Sequence, residues 1–452
     1  MAVKARNRPM PETLLGRMFA NTVWLLGGKG FGAVCSLAYL AILARTLGLK
    51  DFGHFSLIVG TAQALIFIAG FQTWRTVVRY GAEYVHQRNW DAFGRLGMLC
   101  GLIDILGAVF GCLIAYVVFF HFAGPLDLNP SLVGTAFWFN VGMLFALVSA
   151  PTGIVRALDR FDVAVYVEAV VPLGRLACAL GIWLTGPTLV KFLIAWAVID
   201  VLEALLYWIM ARRLCPQAVQ LKYLRGISMV FRENPGIIRF FLITYGTTTV
   251  EALKRNGPLL AVGYFAGTKA AGLYRLAQQL SQGLGKLSTL LTRSVYAEIA
   301  RAKVAAGADE FRKLATQTSL IAGSGGALVI MLAILVGGQL MGLIGGDAFR
   351  AGYVVMIPLT IDASLELAAV AFEPVLHSTG RARQALAARI GALVVTVGGI
   401  LVFVSSGGAA GIAWAVALGG ATFYLTMGLL ARRALKAMEH SVSATGEEAV
   451  TP

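Results

Sequence analysis

Three ionisable residues lie close together within the apolar stretch 240–266. Glu251, Lys254 and Arg255 are spaced so that they share one face of a helix. An ionised side chain at the centre of a bilayer costs at least about 2.5 kcal/mol unless it faces water or an opposite charge. The spacing therefore predicts a polar patch that faces a wet cavity. Pro258, one turn later, is expected to interrupt the hydrogen bonds of the same helix.

The whole chain has the composition of an integral membrane protein. Of its 452 residues 58% are hydrophobic and 13% are charged, whereas about 25% are charged in an average soluble domain. Hydropathy predicts an all-α polytopic membrane protein with about twelve transmembrane helices in two six-helix bundles. Most Lys and Arg residues, including Arg389, fall in loops of one side, so we expect both termini in the cytoplasm.

The longest polar connection, 211–238, divides the chain nearly in half. We therefore predict an N-terminal six-helix lobe over residues 1–225 and a C-terminal six-helix lobe over residues 226–436. Residues 437–452 are polar and are expected to form a disordered cytoplasmic tail.

A short repeat supports this division. Gly48 and Gly53 recur as Gly267 and Gly272, each 219 residues later, at the junction between the first and second span of each half. Six spans separate the copies, so the halves would be related by an axis along the membrane normal. The repeat predicts an internal duplication.

The run Leu40–Gly60 (LAILARTLGLKDFGHFSLIVG) closes the first predicted span and opens the second. Its Arg45-x-Leu47-Gly48 and Gly53-x-Phe55-Ser56 patterns resemble the first hairpin of polysaccharide-biosynthesis transporters in the multidrug/oligosaccharidyl-lipid/polysaccharide (MOP) exporter superfamily, which have a MATE-like fold. The second-half run Gly267–Leu280 repeats the resemblance. Because Arg45 belongs to the turn motif, we expect it to have a structural role.

This resemblance implies a flippase for lipid-linked oligosaccharides. It would move an undecaprenyl-diphosphate-linked repeat unit of O-antigen, capsule or exopolysaccharide from the cytoplasmic to the periplasmic leaflet of the bacterial inner membrane by alternating access. The implied partners are this lipid-linked substrate, membrane lipids, H⁺ or Na⁺, and polysaccharide polymerase and ligase proteins. No enzyme activity, cofactor, metal or nucleic-acid partner is expected, since the sequence carries no P-loop, no CxxC pair and no His cluster with ligand spacing.

Basic residues inside the predicted spans are candidates for binding the substrate diphosphate, because a guanidinium fork matches phosphate oxygens. They are Lys254, Arg255, Lys29, Arg275, Arg175 and Lys286. The alternative is that these cations pair with nearby acids, as Glu251 could with Lys254 or Arg255, and only hold the bundles together. Polar side chains such as Gln278 and Gln282 would bind sugar hydroxyls or neighbouring helices.

Acidic residues in the spans could carry protons or bind Na⁺, because carboxylates in a poorly solvated site readily take up a cation. The candidates for ion coupling are Glu251, Asp200, Glu203, Asp362 and Glu366. They could equally serve as counter-charges for the buried cations, as could Asp104 and Glu168.

Two other functions remain open. An H⁺- or Na⁺-coupled multidrug exporter of the same fold would favour a net acidic cavity. The entrance helices of the second half instead carry four cations against one acid, Glu251. A membrane glycosyltransferase or polysaccharide polymerase would usually need a sizeable extramembrane loop, and none is predicted on the non-cytoplasmic side.

Overall fold

The computed structural model describes residues 14–301, 308–369, 372, 376 and 381–448, with side chains in 30–283, 320, 322–369, 372, 376, 381 and 383–434. Over these residues the chain is helical and contains no strand. The α-helices, numbered in chain order, are α1 (Leu14–Ala69), α2 (Trp74–His86), α3 (Trp90–His121), α4 (Val133–Phe145), α5 (Ser149–Ala157), α6 (Phe161–Leu184), α7 (Leu189–Leu214), α8 (Ile227–Glu233), α9 (Ile237–Arg301), α10 (Ala308–Gly345), α11 (Tyr353–Ala368) and α12 (Ala382–Glu448). This confirms the predicted all-α fold.

Three long helices, α1, α9 and α12, are each broken at one glycine. The breaks lie at Gly48 (φ 71°), Gly267 (φ 82°) and Gly408 (φ 50°). These left-handed conformations favour glycine, which has no Cβ. Gly48 and Gly267 share a ψ of 177°, so the two copies of the predicted repeat form the same turn.

The two turns also contact each other reciprocally. A Cβ built on Gly53 would overlap the backbone carbonyl of Thr268, and one built on Gly272 would lie 2.8 Å from the carbonyl oxygen of Leu49. Leu49 and Thr268 each follow a break glycine. Each hairpin therefore packs its second glycine against the residue that follows the break glycine of the other hairpin, as expected for duplicated halves. We call this part of the molecule the hairpin end.

Seven helical stretches of the described chain are long and apolar enough to cross a membrane, judged by length and composition. They are Gly30–Ala69, Trp90–His121, Pro130–Ala157, Phe161–Leu184, Ala322–Gly345, Asp347–Ala368 and Arg383–Ala434. The first has 40 residues and the last 52, and each contains a glycine break, so each could provide two crossings of about 20 residues. The predicted spans in α7 and α9 are not among the seven. The protein is thus a multi-pass membrane protein.

Several local expectations are modified. α9 continues through Pro258, and its break lies at Gly267 instead, because losing one internal hydrogen bond does not end a helix that its neighbours support. α12 continues to Glu448, beyond the start of the expected disordered tail, whose first residues, Ala437, Met438 and Glu439, are good helix formers.

The polar connection after α7 folds back on α3. The hydroxyl of Tyr223 donates to Asp91 at 2.5 Å, and Arg95 forms an ion pair with Glu233 of α8. Gly94 lies directly beneath the Tyr223 ring. The connection is therefore packed against the N-terminal half as far as α8.

Candidate functional site

A cavity of about 580 Å³ lies among α9, α11 and α12, with Phe67 of α1 also on its wall. Its lining includes six charged side chains, Glu251, Lys254, Arg255, Asp362, Glu366 and Arg389. Neutral polar groups of Gln278, Ser281 and Gln282 line it as well. The structure thus brings together five predicted site residues from two distant parts of the sequence, and adds Arg389.

Lys254 lies between two carboxylates of α11. Its Nζ is 3.5 Å from Asp362 Oδ1 and 3.5 Å from Glu366 Oε2. Asp362 and Glu366 are one helical turn apart, so both reach the same face of α11. Glu366 is 58% exposed, against 13% for Asp362, and so presents the more accessible carboxylate. For Lys254 the geometry favours the alternative in which the cation is held by acids.

Glu251 pairs with Arg389 rather than with the cations of its own helix. The Arg389 Nη1 donates to Glu251 Oε1 at 2.5 Å. The prediction that Arg389 lies in a loop is wrong: α12 begins at Ala382, so Arg389 lies two turns inside the helix and lines the cavity. Helical periodicity gives the face of α12 on which Arg389 lies, but it names no partner on another helix.

Arg255 differs from the other two cavity cations. It is exposed, it lines the cavity, and its guanidinium makes no ion pair with a described residue. Its backbone carbonyl accepts a hydrogen bond of 2.9 Å from Gln278 Nε2. The five guanidinium N–H donors of Arg255 are therefore free for an anionic ligand.

Arg275 lies after the Gly267 break in α9 and reaches the other half of the molecule. Its Nη2 donates to Gln63 Oε1 of α1 at 3.3 Å, and its Nη1 to Gln278 Oε1 at 3.4 Å. Both partners are neutral amides, and no described acid pairs with Arg275. Gln278 therefore contacts both Arg275 and the Arg255 backbone.

Three predicted site residues form a separate cluster in the N-terminal half. The Nη2 of Arg175 donates to both oxygens of Asp200, at 2.6 and 2.9 Å, and the guanidinium lies 4.1 Å from the centre of the Trp196 ring. Glu203, one turn along α7, makes no ion pair or hydrogen bond with another described residue. For Arg175 and Asp200 the counter-charge alternative fits the geometry.

The remaining predicted residues lie elsewhere. The side chains of Lys29 and Lys286 fall outside the described residues. Arg45 donates from Nη2 to the carbonyl oxygen of Leu343 at 2.6 Å, which ties the first hairpin to the end of α10.

A second link at the hairpin end was not predicted. Asp127 Oδ2 accepts hydrogen bonds from the backbone N–H of Thr268 at 3.0 Å and from its hydroxyl at 2.8 Å. These two bonds hold the pKa of Asp127 below its ordinary value. Asp127 lies in the polar turn after α3 and had no local signal beyond turn composition. Together with Arg45 it joins each hairpin to the opposite half.

The halves also meet in what we call the aromatic seam. Its rings are Phe71 of the α1–α2 connection, Tyr80 of α2, and Phe240, Phe241 and Tyr245 of α9. Between ring centres, Phe71 is 5.0 Å from Tyr245 and 5.8 Å from Phe241, and Tyr80 is 5.9 Å from Phe240. The Tyr245 hydroxyl donates to the carbonyl oxygen of Ile68 at 2.7 Å, so it binds the opposite half rather than the cavity.

The sequence matches a known protein family. A sequence profile of the family described as polysaccharide biosynthesis protein matches residues 18–302. The chain belongs to this family. The predicted resemblance to polysaccharide-biosynthesis proteins is thereby confirmed.

One curated relative and several solved structures extend the comparison. Inner membrane protein YghQ of Escherichia coli (strain K12) is 26% identical over 340 residues, which cover 74% of this chain and 94% of that protein. An inward-facing multidrug resistance MATE family transporter of the MOP superfamily has a TM-score of 0.65 at 15% identity, covering 90% of this chain and 96% of the other. The lipid II flippase MurJ in an inward closed conformation has a TM-score of 0.65 at 12% identity, covering 90% and 86%. These structural neighbours are transporters and flippases, and they establish a MATE-like fold.

Proposed function

We propose that this protein is a flippase that moves an undecaprenyl-diphosphate-linked oligosaccharide from the cytoplasmic to the periplasmic leaflet of the bacterial inner membrane by alternating access. Family membership and the MATE-like fold support this proposal. The observation that carries it is Arg255, a cavity cation with no acidic partner among the described residues. The repeat units of O-antigen, capsule and exopolysaccharide are the candidate cargoes.

The chemistry of the cavity suits such a head group. A diphosphate cannot cross about 30 Å of hydrocarbon without solvation or compensating charge. Arg255 offers a fork of donors for phosphate oxygens. Arg275, held only by amides, lies on the same helix but is not among the residues that line the cavity. Gln282 and Glu366 on the cavity wall offer hydrogen bonds to sugar hydroxyls.

The proposed topology has about twelve transmembrane helices in two six-helix lobes, with both termini in the cytoplasm. In this arrangement the breaks at Gly48, Gly267 and Gly408 each separate two crossings, and α4 with α5 forms one crossing. The hairpin end would face the periplasm and the aromatic seam the cytoplasm.

Ion coupling is part of the proposal. Lys254 shares two carboxylates, which leaves the Lys254–Asp362–Glu366 group with one surplus negative charge when all three are ionised. Uptake of H⁺ or Na⁺ at Glu366 would neutralise that charge and change the attraction between α9 and α11. Glu203, which has no described partner, is the corresponding candidate in the N-terminal half.

A coupled multidrug exporter is the second candidate. The cavity is lined by three acids and three bases, with Arg389 counted among the bases, so it is less cationic than the sequence implied. Three carboxylates could accept a cationic drug. The two functions differ in cargo, so a direct transport assay separates them.

The test is transport in reconstituted liposomes. The probe is an undecaprenyl-diphosphate-linked monosaccharide with a fluorescent group on the sugar, and an impermeant reductant reports its exposure on the outer leaflet. We expect Arg255→Ala to slow flipping about tenfold, the loss of one charge-assisted interaction. Arg350→Ala is the matched control, because Arg350 is 66% exposed and its ion pair among the described residues is with the nearby Asp347. Equal rates in wild type and Arg255→Ala would contradict the proposed site, and transport of a cationic dye alone would favour the exporter.

A further inference from the structure

Asp104 is a buried acid on α3 without a cationic partner among the described residues. It is 5% exposed and lies within one of the apolar stretches long enough to cross a membrane. Both of its carboxylate oxygens are nevertheless occupied. Oδ1 accepts a hydrogen bond from the Thr73 hydroxyl at 2.7 Å, and Oδ2 accepts one from the backbone N–H of Ala150 at 2.7 Å.

The two donors belong to two different helix breaks. Thr73 ends the break between α1 and α2, in which Phe71 (φ 41°) and Gln72 (φ 50°) adopt left-handed conformations that are unusual for residues with a side chain. Ala150 is the second residue of α5, just after the break that separates α5 from α4. Pro151 accounts for the second break. In a continuous helix it would have no N–H for the carbonyl of Leu147, and its ring would collide with that carbonyl.

Further hydrogen bonds join the two breaks directly. The hydroxyls of Thr73 and Ser149 are 2.9 Å apart, and the backbone N–H of Trp74 donates to Ser149 Oγ at 3.0 Å. The first N–H groups of a helix lack partners within the helix and attract negative charge. The Asp104 carboxylate accepts such an N–H at the start of α5 and the hydroxyl of the residue before α2, so it is held without any counter-cation. This explains why an acid is tolerated at Asp104.

Beyond the breaks, α2 and α5 pack tightly together. A Cβ built on Gly153 of α5 would lie 2.9 Å from Trp74 Cα and 2.7 Å from Val77 Cβ, so the two short helices fit as a unit. α2 in turn carries the Tyr80 side of the aromatic seam. Its Arg79 guanidinium also lies 4.4 Å from the centre of the Phe240 ring of α9.

We infer that Asp104 is a positioning residue for transport: it fastens the two helix breaks to each other, and so holds the α2–α5 pair where α2 meets α9 at the aromatic seam. The inference rests on the proposed function, since the seam joins α2 to α9, the helix that carries the proposed substrate-binding residue Arg255. The competing role for a buried acid is a coupling site that takes up and releases a proton. The two roles differ in what an uncharged amide at this position would do.

The experiment compares Asp104→Asn with Asp104→Leu. An asparagine can accept from the Ala150 N–H and donate to the Thr73 oxygen, whereas leucine has a similar shape and removes both bonds. Seam contact is read from cross-linking between cysteines at Tyr80 and Phe240 by a short bis-maleimide, in a background whose five native cysteines are replaced by alanine or serine. Flipping of the fluorescent undecaprenyl-diphosphate sugar is read in the same background without the cysteine pair.

We expect Asp104→Asn to keep cross-linking and flipping within about threefold of wild type, and Asp104→Leu to lower both about tenfold, the effect of losing one or two charged hydrogen bonds. Flipping lost in Asp104→Asn with cross-linking intact would overturn the inference and assign Asp104 to coupling. Unchanged cross-linking in Asp104→Leu would also overturn it.

A milder variant covers the case in which Asp104→Leu does not fold. Thr73→Val keeps the shape of Thr73 and removes one of the two bonds, so cross-linking should fall by a smaller factor, and no change would overturn the inference. The cross-linking result needs no substrate. It therefore remains decisive for Asp104 even if wild-type protein fails to flip the probe and the proposed function is wrong.

Discussion

The pairing of Arg389 with Glu251 gives a quantitative test of the cavity. The Arg389 side chain is 21% exposed and the Glu251 side chain 42%, so the pair lies between a surface and a buried ion pair. Exposed pairs contribute about 0–1 kcal/mol, and breaking a fully buried pair costs about 3–5 kcal/mol. We therefore expect Arg389→Ala to lower the free energy of unfolding by about 1–3 kcal/mol, because Glu251 loses its partner in a partly desolvated wall.

The assay is unfolding in detergent of wild type, Arg389→Ala, Glu251→Ala and the double variant. A double-mutant cycle isolates the energy of the pair from other effects of each substitution, and we expect a coupling energy of about 1 kcal/mol or more. Arg383→Ala is the matched control, since Arg383 is an exposed arginine near the start of the same helix. A coupling energy near zero would refute the placement of Arg389 in the cavity and return it to a solvated position.

Two further predictions concern the hairpin end. Gly53→Ala should lower the free energy of unfolding by about 1–3 kcal/mol, because its Cβ would overlap the Thr268 carbonyl. The control is Gly181→Ala, where a Cβ meets no atom within 4 Å. Equal melting temperatures in the two variants would contradict the close contact at Gly53. For Asp127, the lowered pKa means that its bonds to Thr268 stabilise the protein at neutral pH and that this contribution is lost as pH falls below about 4 through the lowered pKa. The melting temperature of wild type should therefore exceed that of Asp127→Ala by a constant amount from pH 7 to about pH 4, and the difference should shrink below that; a difference that grows on acidification would show the opposite linkage.

The parts of the fold that local sequence determines could be predicted. Gly48 and Gly267 recur in matching contexts, and each breaks its helix in the same left-handed conformation. Such a turn depends on the backbone of the glycine itself and not on a distant partner. Glu251, Lys254 and Arg255 face a cavity because helical spacing fixes which residues share a face.

The partners of these residues could not be predicted. Arg389 and Glu251 are 138 positions apart, and helical periodicity says which way a side chain points on its own helix, not which helix lies opposite. Asp127 was missed for the same reason. Its carboxylate finds the Thr268 donors only once the second hairpin lies beside it. Asp104 was counted merely as an intramembrane acid, because the breaks that it joins depend on Pro151 and on left-handed residues with no sequence signature.

The central claim is that Arg255 is free to hold a diphosphate, whereas Lys254 and Arg389 are already held by acids. Its most direct test is the affinity of purified protein for farnesyl diphosphate, measured by titration calorimetry in detergent for wild type, Arg255→Ala and the control Arg350→Ala. Loss of a charge-assisted interaction of about 1.5–3 kcal/mol predicts that Arg255→Ala raises Kd by about 10- to 150-fold while Arg350→Ala leaves it unchanged. A Kd for Arg255→Ala equal to that of wild type would contradict the account.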